Sequence, residues 1–250
     1  MAEFKDYFST ASDDYKRFRP QYPKELYAYL TQLAPSTELA FDVGCGNGQA
    51  SRELARHFSR VHASDASALQ IEQAETCSNV TYHVSPAESI KCDDSSVDLV
   101  TVAQAIHWFR HPEFFAEVER ILKPGGVLAV WGYQLLYTDT ALDSFIEHFH
   151  SQIVGPYWPP ERALLDNGYT RISFPYPRME APEFFMQAHW EFSHLIGYLN
   201  TWSAVKQYEL ALGQNPIETN FDNLASAWGN PGGAHKIYWP LILYVGKKSL

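Results

Sequence analysis

The segment at positions 41–49 contains residue types that could hold a ligand through the backbone. Three glycines alternate with larger residues between Gly44 and Gly48, directly after an apolar run that ends in Asp42-Val43. Glycine allows a tight turn, and it lets a ligand approach the backbone more closely than a Cβ atom would permit. The spacing therefore predicts a ligand-binding loop between a strand and a helix that begins near Gln49.

A carboxylate follows this loop at a sequence spacing that is typical of nucleotide-binding folds. Asp65 ends the next predicted strand, about 20 residues after the first glycine, where nucleotide-binding folds place an acid that accepts hydrogen bonds from ribose hydroxyls. The third glycine comes after one residue instead of two, so the loop suits a ligand without a pyrophosphate and argues against a nicotinamide dehydrogenase. An ordinary tight turn and a solvated acid are the alternative interpretations.

Short strands separated by helices must position these residues. Strands are predicted at 39–43, 61–65, 80–84, 97–103 and 127–131, and helices at 23–33, 49–58, 67–76 and 112–122. Because parallel strands need long crossover connections, this order predicts an α/β protein with a parallel sheet. Beyond Gly132 the chain is more aromatic and contains nine of the fifteen prolines; helical patterns occur there at 139–153, 193–212 and 216–228, and strand-like patterns at 184–192 and 235–246.

The composition favours a globular protein that binds neither nucleic acid nor membranes. Hydrophobic residues make up 46% of the 250 residues, and a net charge of −10 repels polyphosphates. No run of about 18 apolar residues and no signal peptide is present, so a cytoplasmic protein is expected. The three cysteines form no Cys-x-x-Cys pair and the ten histidines no His-Glu-x-x-His motif, which predicts reduced thiols and no metal site.

Residues 39–131 resemble the class I S-adenosylmethionine-dependent methyltransferases. The segments that carry the resemblance are Asp42-Val43-Gly44-Cys45-Gly46-Asn47-Gly48, Asp65, Ala87-Glu88, Asp98-Leu99-Val100 and Leu122-Lys123-Pro124-Gly125-Gly126. The family fold is a Rossmann-like seven-stranded sheet, mostly parallel, with the last strand inserted antiparallel and helices on its flanks. The expected division is an N-terminal lid and first helix (1–37), a cofactor-binding core (38–132), a helical aromatic-rich insertion on the substrate side (133–234) and the final strand (235–250).

The chain is also similar to a small-molecule subgroup that includes trans-aconitate methyltransferase-like proteins (methyltransferase type 11). The matching segments are Tyr15, Arg19-Pro20, Tyr22-Pro23, Gln104-Ala105-Ile106-His107-Trp108-Phe109 and Tyr198-Leu199-Asn200-Thr201-Trp202-Ser203. These segments lie before the sheet, after the fourth strand and late in the chain. The acceptor varies within the subgroup, so the resemblance does not identify it.

The resemblance implies a role for each matching residue toward S-adenosylmethionine. Gly44 and Gly46 would face the methionine part, Asp65 the ribose, and Ala87 with Glu88 the adenine, while Gln104 would lie nearest the sulfonium. The other residues expected at the cofactor are Asp42, Cys45, Ala66, Tyr15 and Arg19. Arg19 could bind a carboxylate of the cofactor or of the substrate, or it could be a surface arginine paired with an acid.

Catalysis is assigned to Gln104 and His107. A histidine has a pKa suited to a general base, which would remove a proton from a hydroxyl or amine acceptor; a structural histidine is the alternative. Trp108, Tyr133 and Trp202 are expected to line the substrate pocket, although Trp108 could equally belong to the core.

The expected function is transfer of a methyl group to an oxygen, nitrogen or carboxylate of a small molecule, with S-adenosylhomocysteine as the product. An inactive S-adenosylmethionine-binding sensor or partner protein is the main alternative, and a carboxymethyl or aminopropyl transferase is another. The expected assembly is a monomer or homodimer.

Overall fold

The computed structural model describes residues 17–138 and 140–250, so Tyr15 lies outside the described residues. The strands in these ranges are β1 (Leu39–Val43), β2 (Arg60–Asp65), β3 (Val80–Val84), β4 (Val97–Ala103), β5 (Leu122–Tyr133), β6 (Phe185–Glu191) and β7 (Ala234–Lys247). They form one seven-stranded sheet in the order β3-β2-β1-β4-β5-β7-β6. The first five are parallel, whereas β7 pairs antiparallel with β5 and β6. The predicted fold class and the antiparallel insertion of the last strand are confirmed.

The helices flank this sheet and fill the segment between β5 and β7. Those in the described ranges are α1 (Lys24–Leu33), α2 (Gln49–Leu54), α3 (Ala68–Glu72), α4 (His111–Ile121), α5 (Ala141–His148), α6 (Arg162–Asp166), α7 (Phe192–Asn200), α8 (Ser203–Leu212), α9 (Pro216–Thr219) and α10 (Phe221–Trp228). None of them is both long and apolar enough to span a bilayer.

Alternate residues of the central strands face two apolar cores. Ala40 and Leu99 pack with α1 and α2, whereas their neighbours Phe41 and Val100 pack with α4. Because successive side chains of a strand point to opposite faces, strands that are apolar throughout fit a sheet covered on both sides. A third core is formed mainly by the 133–234 segment, with Trp190 and Trp202, and also includes Trp239 of β7.

The strand order reverses at β1, whose two neighbours in the sheet are β2 and β4. The connections that leave β1 and β4 at their carboxyl ends therefore diverge to opposite sides. Open α/β sheets bind ligands in the crevice that forms at such a point. The glycine loop that follows Val43 lies at this crevice.

Several predicted elements differ in extent from the structure. The helix predicted at 49–58 ends at Leu54, because the Asn79 side-chain amide donates to the carbonyls of Ala55 and Phe58 and so supports a tighter turn there. The helix predicted at 193–212 breaks between α7 and α8, where the Thr201 hydroxyl donates to the Tyr198 carbonyl at 2.6 Å and competes with the helical pattern.

Candidate functional site

The loop after β1 has left-handed backbone at its glycines, with φ of +69° at Gly44 and +54° at Gly46. The two glycines differ in what surrounds them. A Cβ on Gly44 would lie 2.7 Å from the Ala105 Cβ, so the protein itself fills that space. Among the residues that the structure describes, a Cβ on Gly46 would meet only the Gln70 Oε1, at 3.7 Å. Within this part of the chain, the space beside the Gly46 backbone is open, which is compatible with the predicted role in ligand binding.

Asp65 fastens this loop to the end of β2. Its Oδ2 accepts a hydrogen bond from the Gly46 amide at 2.8 Å, and its Oδ1 accepts one from the Ser67 amide at 2.9 Å, across the turn that contains Ala66. A carboxylate has about four lone-pair sites, so it can accept more than two hydrogen bonds. Asp65 is only partly buried.

Asp42 lies beneath the loop and is completely buried. Its carboxylate accepts hydrogen bonds from the Ser51 hydroxyl at 2.6 Å and the Thr101 hydroxyl at 2.8 Å, so it joins β1, α2 and β4. Burial raises the pKa of Asp42 to about 6, although both hydroxyl bonds oppose the change. The structure therefore gives Asp42 a supporting position under the loop, without direct access to a ligand.

Two serine hydroxyls beside Asp65 are buried and lack a hydrogen-bond partner among the described residues. They belong to Ser64, on β2, and Ser85, which follows β3. Buried hydroxyls without partners are costly, so a polar ligand at this edge would relieve the deficit. Together with the open backbone at Gly46 and the carboxylate of Asp65, they fit an adenosine-containing cofactor.

The residues assigned to the adenine, Ala87 and Glu88, follow β3 in the chain. Ala87 is buried, and the Glu88 carboxylate accepts a hydrogen bond from the Arg110 amide at 2.7 Å. Cys45 is buried in the loop, where burial raises the pKa of its thiol well above the usual value. Its thiol stays protonated at neutral pH, which fits a small packing residue better than a nucleophile.

Gln104 lies at the carboxyl end of β4, as predicted, in a left-handed conformation with φ of +57°. Its side-chain amide donates to the Tyr133 carbonyl at 3.0 Å and accepts from the Tyr133 amide at 2.8 Å. The amide thereby extends the pairing of β4 with β5 beyond the strand ends. In this arrangement Gln104 shapes the crevice, and both polar atoms of its side chain contact protein.

His107 belongs to a 3₁₀ turn, Ile106–Trp108, directly after β4, and it is 6% exposed. Its Nδ1 lies 3.4 Å from the Tyr169 hydroxyl. Burial, with contributions from the nearby positive charge of Arg162 and from His111, lowers the pKa of His107 to about 3. A neutral imidazole with so low a pKa is a weak base, so the burial of His107 and its lowered pKa favour the structural alternative for this residue.

Arg19 connects the N-terminal segment to the far side of the crevice. Its Nη1 donates to the Tyr133 hydroxyl at 2.8 Å, its Nε donates to the Thr201 hydroxyl at 2.9 Å, and its guanidinium lies 5.0 Å from the Tyr198 ring. The Gln49 side chain also donates to the Pro20 carbonyl at 3.1 Å, which brings this segment against the start of α2. Arg19 thus joins the elements on which the predicted lid would close.

The three aromatic residues assigned to the substrate differ in their surroundings. Tyr133 and Trp202 are both buried, and Trp202 packs 5.5 Å from Trp158 within the third core. Trp108 is half-buried, with its ring 4.9 Å from that of His107. Trp108 is therefore the most accessible of the three beside the carboxyl end of β4.

Sequence reasoning missed Tyr169 and Arg162, which the structure brings to the same edge. A Cβ on Gly132 would lie 2.6 Å from the Tyr169 hydroxyl and 2.9 Å from the Gln104 Oε1, so Tyr169 adjoins the ends of β4 and β5. Both residues come from the proline-rich segment after α5, which has no regular periodicity. The one available signal is a cluster of aromatic residues and a cation at 157–162.

Comparison with known proteins shows the family of this chain. Residues 41–130 match the family described as a methyltransferase domain. A Dictyostelium discoideum protein that carries a methyltransferase name is 33% identical over 254 residues, which cover 99% of this chain and 97% of its own. The chain therefore belongs to the class I S-adenosylmethionine-dependent methyltransferases.

Solved structures agree with this membership. A protein of Anaeromyxobacter dehalogenans described as a type II methyltransferase is 38% identical, with a TM-score of 0.87 over 93% of this chain and 100% of its own. The phosphoethanolamine N-methyltransferase 2 of Haemonchus contortus, solved with phosphomonomethylethanolamine and S-adenosylhomocysteine, has a TM-score of 0.52 at 19% identity, covering 100% of this chain and 61% of its own. The second similarity shows a shared fold only.

Proposed function

We propose that this protein transfers the methyl group of S-adenosylmethionine to a small-molecule acceptor and releases S-adenosylhomocysteine. The observation that supports this most is the pairing of an open, left-handed backbone at Gly46 with the carboxylate of Asp65 at the point where the strand order reverses. When bound, the cofactor supplies a methyl group on a sulfonium leaving group, so the protein's task is positioning and exclusion of water.

The residues of the crevice are suited to these two tasks. Asp65 would accept hydrogen bonds from the ribose, and the loop at Gly46 would lie along the methionine part. Gln104 fixes the end of β4 against Tyr133, which keeps the floor of the crevice in one shape. Aromatic side chains of the 133–234 segment would then cover the acceptor and exclude water.

The state of His107 favours acceptors that need little help from a base. Its pKa of about 3 keeps the imidazole neutral but leaves it a weak proton acceptor at neutral pH. A carboxylate oxygen is already ionised, and a neutral amine already carries a free lone pair. Acceptors of these kinds fit the site better than an alcohol does.

A test of the cofactor site replaces Asp65 by Ala and measures S-adenosylmethionine binding by calorimetry. Loss of a carboxylate that accepts ribose hydrogen bonds should cost about 2 to 3 kcal/mol of binding free energy. Glu38→Ala is the matched control, because Glu38 is an exposed acid that precedes β1 and pairs with Lys123 at 2.8 Å, at the opposite edge of the sheet. A folded Asp65→Ala variant that binds S-adenosylmethionine as tightly as wild type does would contradict the proposed cofactor site.

A second measurement separates the enzyme from an inactive cofactor-binding sensor. Purified protein with methyl-labelled S-adenosylmethionine and a fractionated metabolite extract should produce labelled small molecules, and the Asp65→Ala variant should not. Tight cofactor binding with no labelled product from any fraction would support the sensor instead.

A further inference from the structure

Helix α6 places Arg162 at the carboxyl edge of the sheet. The helix contacts the 3₁₀ turn at 106–108 that carries His107. The Gln134 side chain, just beyond β5, donates to the carbonyls of Leu165 at 3.0 Å and Asp166 at 2.7 Å. These bonds fix α6 beside the ends of β4 and β5.

Two neighbouring side chains hold the guanidinium of Arg162 in place and use only one of its hydrogen-bonding nitrogens. It stacks 4.4 Å from the Trp158 ring, and its Nε donates to the Asp166 Oδ1 at 3.0 Å. Within residues 17–138 and 140–250, neither Nη atom has a hydrogen-bond partner. The side chain is 16% exposed, compared with 37% for Asp166. Arginine carries five N–H donors, so most of the fork is available to a ligand.

Three titratable side chains whose pKa values respond to the charge of Arg162 are neutral at pH 7. His107 and His150 have pKa values lowered to about 3 and about 4, mainly by burial and secondly by the charge of Arg162. The pKa of Tyr169 is raised by burial, so its hydroxyl stays protonated. Asp166 is the acid paired with the guanidinium, and its carboxylate contacts Nε alone. The opposite face of the fork therefore lacks a counter-charge from these neighbours.

Aromatic rings continue from Arg162 into the insertion. Trp158 lies 4.9 Å from His150 and 5.5 Å from Trp202, and Trp202 lies 5.9 Å from Tyr198. A flat apolar side chain beside an oriented cation is typical of pockets that bind a small organic anion. Trp158 supplies this side chain and is only partly buried, whereas Trp202 and Tyr198 are buried. A guanidinium fork matches an oxyacid group in a bidentate geometry.

We infer that Arg162 binds an anionic oxyacid group, a carboxylate or a phosphate, of the methyl acceptor and so determines which acceptors enter. This rests on the proposed methyltransferase function. The group bound to Arg162 anchors the acceptor, and Trp158 holds the guanidinium in the required orientation. Arg162 would thus determine specificity. In a purely structural role it would only contact Trp158 and Asp166 and would bind no ligand.

The test compares Arg162→Gln with wild type in binding paired probes to protein saturated with S-adenosylhomocysteine. The probes are aromatic and aliphatic carboxylates and phosphonates, each matched with its uncharged primary amide or ester, and calorimetry gives the dissociation constants. In wild type at least one acid should bind about tenfold or more tightly than its neutral partner, and Arg162→Gln should remove that preference. Carboxylates and phosphonates are scored separately, which identifies the oxyacid.

Two controls keep the outcomes distinct. Arg56→Gln removes an exposed arginine that lies just beyond α2 and pairs with Glu53 of that helix at 2.8 Å, and it should keep the preference for acids. Arg162→Lys retains the charge without the fork and should give an intermediate preference. Wild-type protein that binds S-adenosylhomocysteine but no acid better than its neutral partner would overturn the inference, as would an Arg162→Gln variant that keeps the preference. Failure to bind S-adenosylhomocysteine would instead overturn the proposed function.

Discussion

The two sides of the crevice are built from different parts of the chain and by different means. On the β1–β2 side, the surface consists of the backbone of one contiguous loop and the side-chain carboxylate of Asp65. This carboxylate accepts a hydrogen bond from the Gly46 amide and so fixes the loop. On the β4–β5 side, the surface consists of side chains from the N-terminal segment, the turn after β4 and α6. Tyr169 and Arg162 reach that surface from about 60 and 55 residues beyond His107 along the chain.

This difference indicates that the β1–β2 side suits the ligand common to the family, whereas the residues of the β4–β5 side can vary. A backbone site depends on glycine and on the pairing of strands, so few substitutions preserve it. A site built from the side chains of packed rings and cations can change its shape by single substitutions while the sheet remains intact. We expect variants on the first side to affect cofactor affinity and variants on the second to affect the acceptor and local stability.

The largest expected effect is that of Gly46→Val. The branched side chain would occupy the open space beside the loop and would be strained at a φ of +54°. S-adenosylmethionine affinity should fall by at least about 100-fold, while the free energy of unfolding falls by about 1 to 3 kcal/mol. Calorimetry and thermal unfolding measure the two quantities on the same preparation.

Gly44→Ala is the matched comparison within the same loop. Its new methyl group would lie 2.7 Å from the Ala105 Cβ and 2.9 Å from the Phe109 ring, so it should chiefly destabilise the fold by overpacking. A Gly46→Val variant that binds the cofactor normally would show that the loop is only a tight turn.

A smaller effect is expected for His107→Asn, on the acceptor side. Because the folded-state pKa of His107 is about 3, below that of an unfolded histidine, the unfolded chain takes up a proton that the folded protein does not as the pH falls. Stability from the neutral buried imidazole is present above about pH 6.5 and is lost progressively toward pH 3. The variant should therefore lose less thermal stability between pH 7 and pH 4 than wild type does.

The same variant addresses catalysis. If His107 is structural, kcat should change by less than about tenfold in the variant. The pH dependence of activity near pH 6.5 should then be the same in wild type and variant. A loss of about 100-fold in kcat at unchanged cofactor affinity would restore the general-base role.

What could be predicted from the sequence follows the same division. The glycine loop and Asp65 were identified because their signal is local, with fixed residue types at fixed spacing after an apolar strand. The position of Gln104 was predicted correctly, but its bonds to the Tyr133 backbone depend on the β4–β5 pairing and could not be read from its neighbours. Arg162 and Tyr169 lie in a proline-rich segment without helical or strand periodicity, where tertiary packing alone determines the conformation.

The smallest expected effect concerns a contact within the β4–β5 side, where the Arg19 Nη1 donates to the Tyr133 hydroxyl at 2.8 Å. Tyr133→Phe removes this acceptor and keeps the buried ring, while Arg19 retains its bond to the Thr201 hydroxyl. The free energy of unfolding should fall by about 1 kcal/mol, as for one partly buried hydrogen bond. Urea denaturation of Tyr133→Phe, Arg19→Gln and the double variant gives the coupling directly. A coupling of about 1 kcal/mol would show that the N-terminal segment is held to β5 through this bond. Additive losses would mean that Arg19 acts through Thr201 and Tyr198 instead.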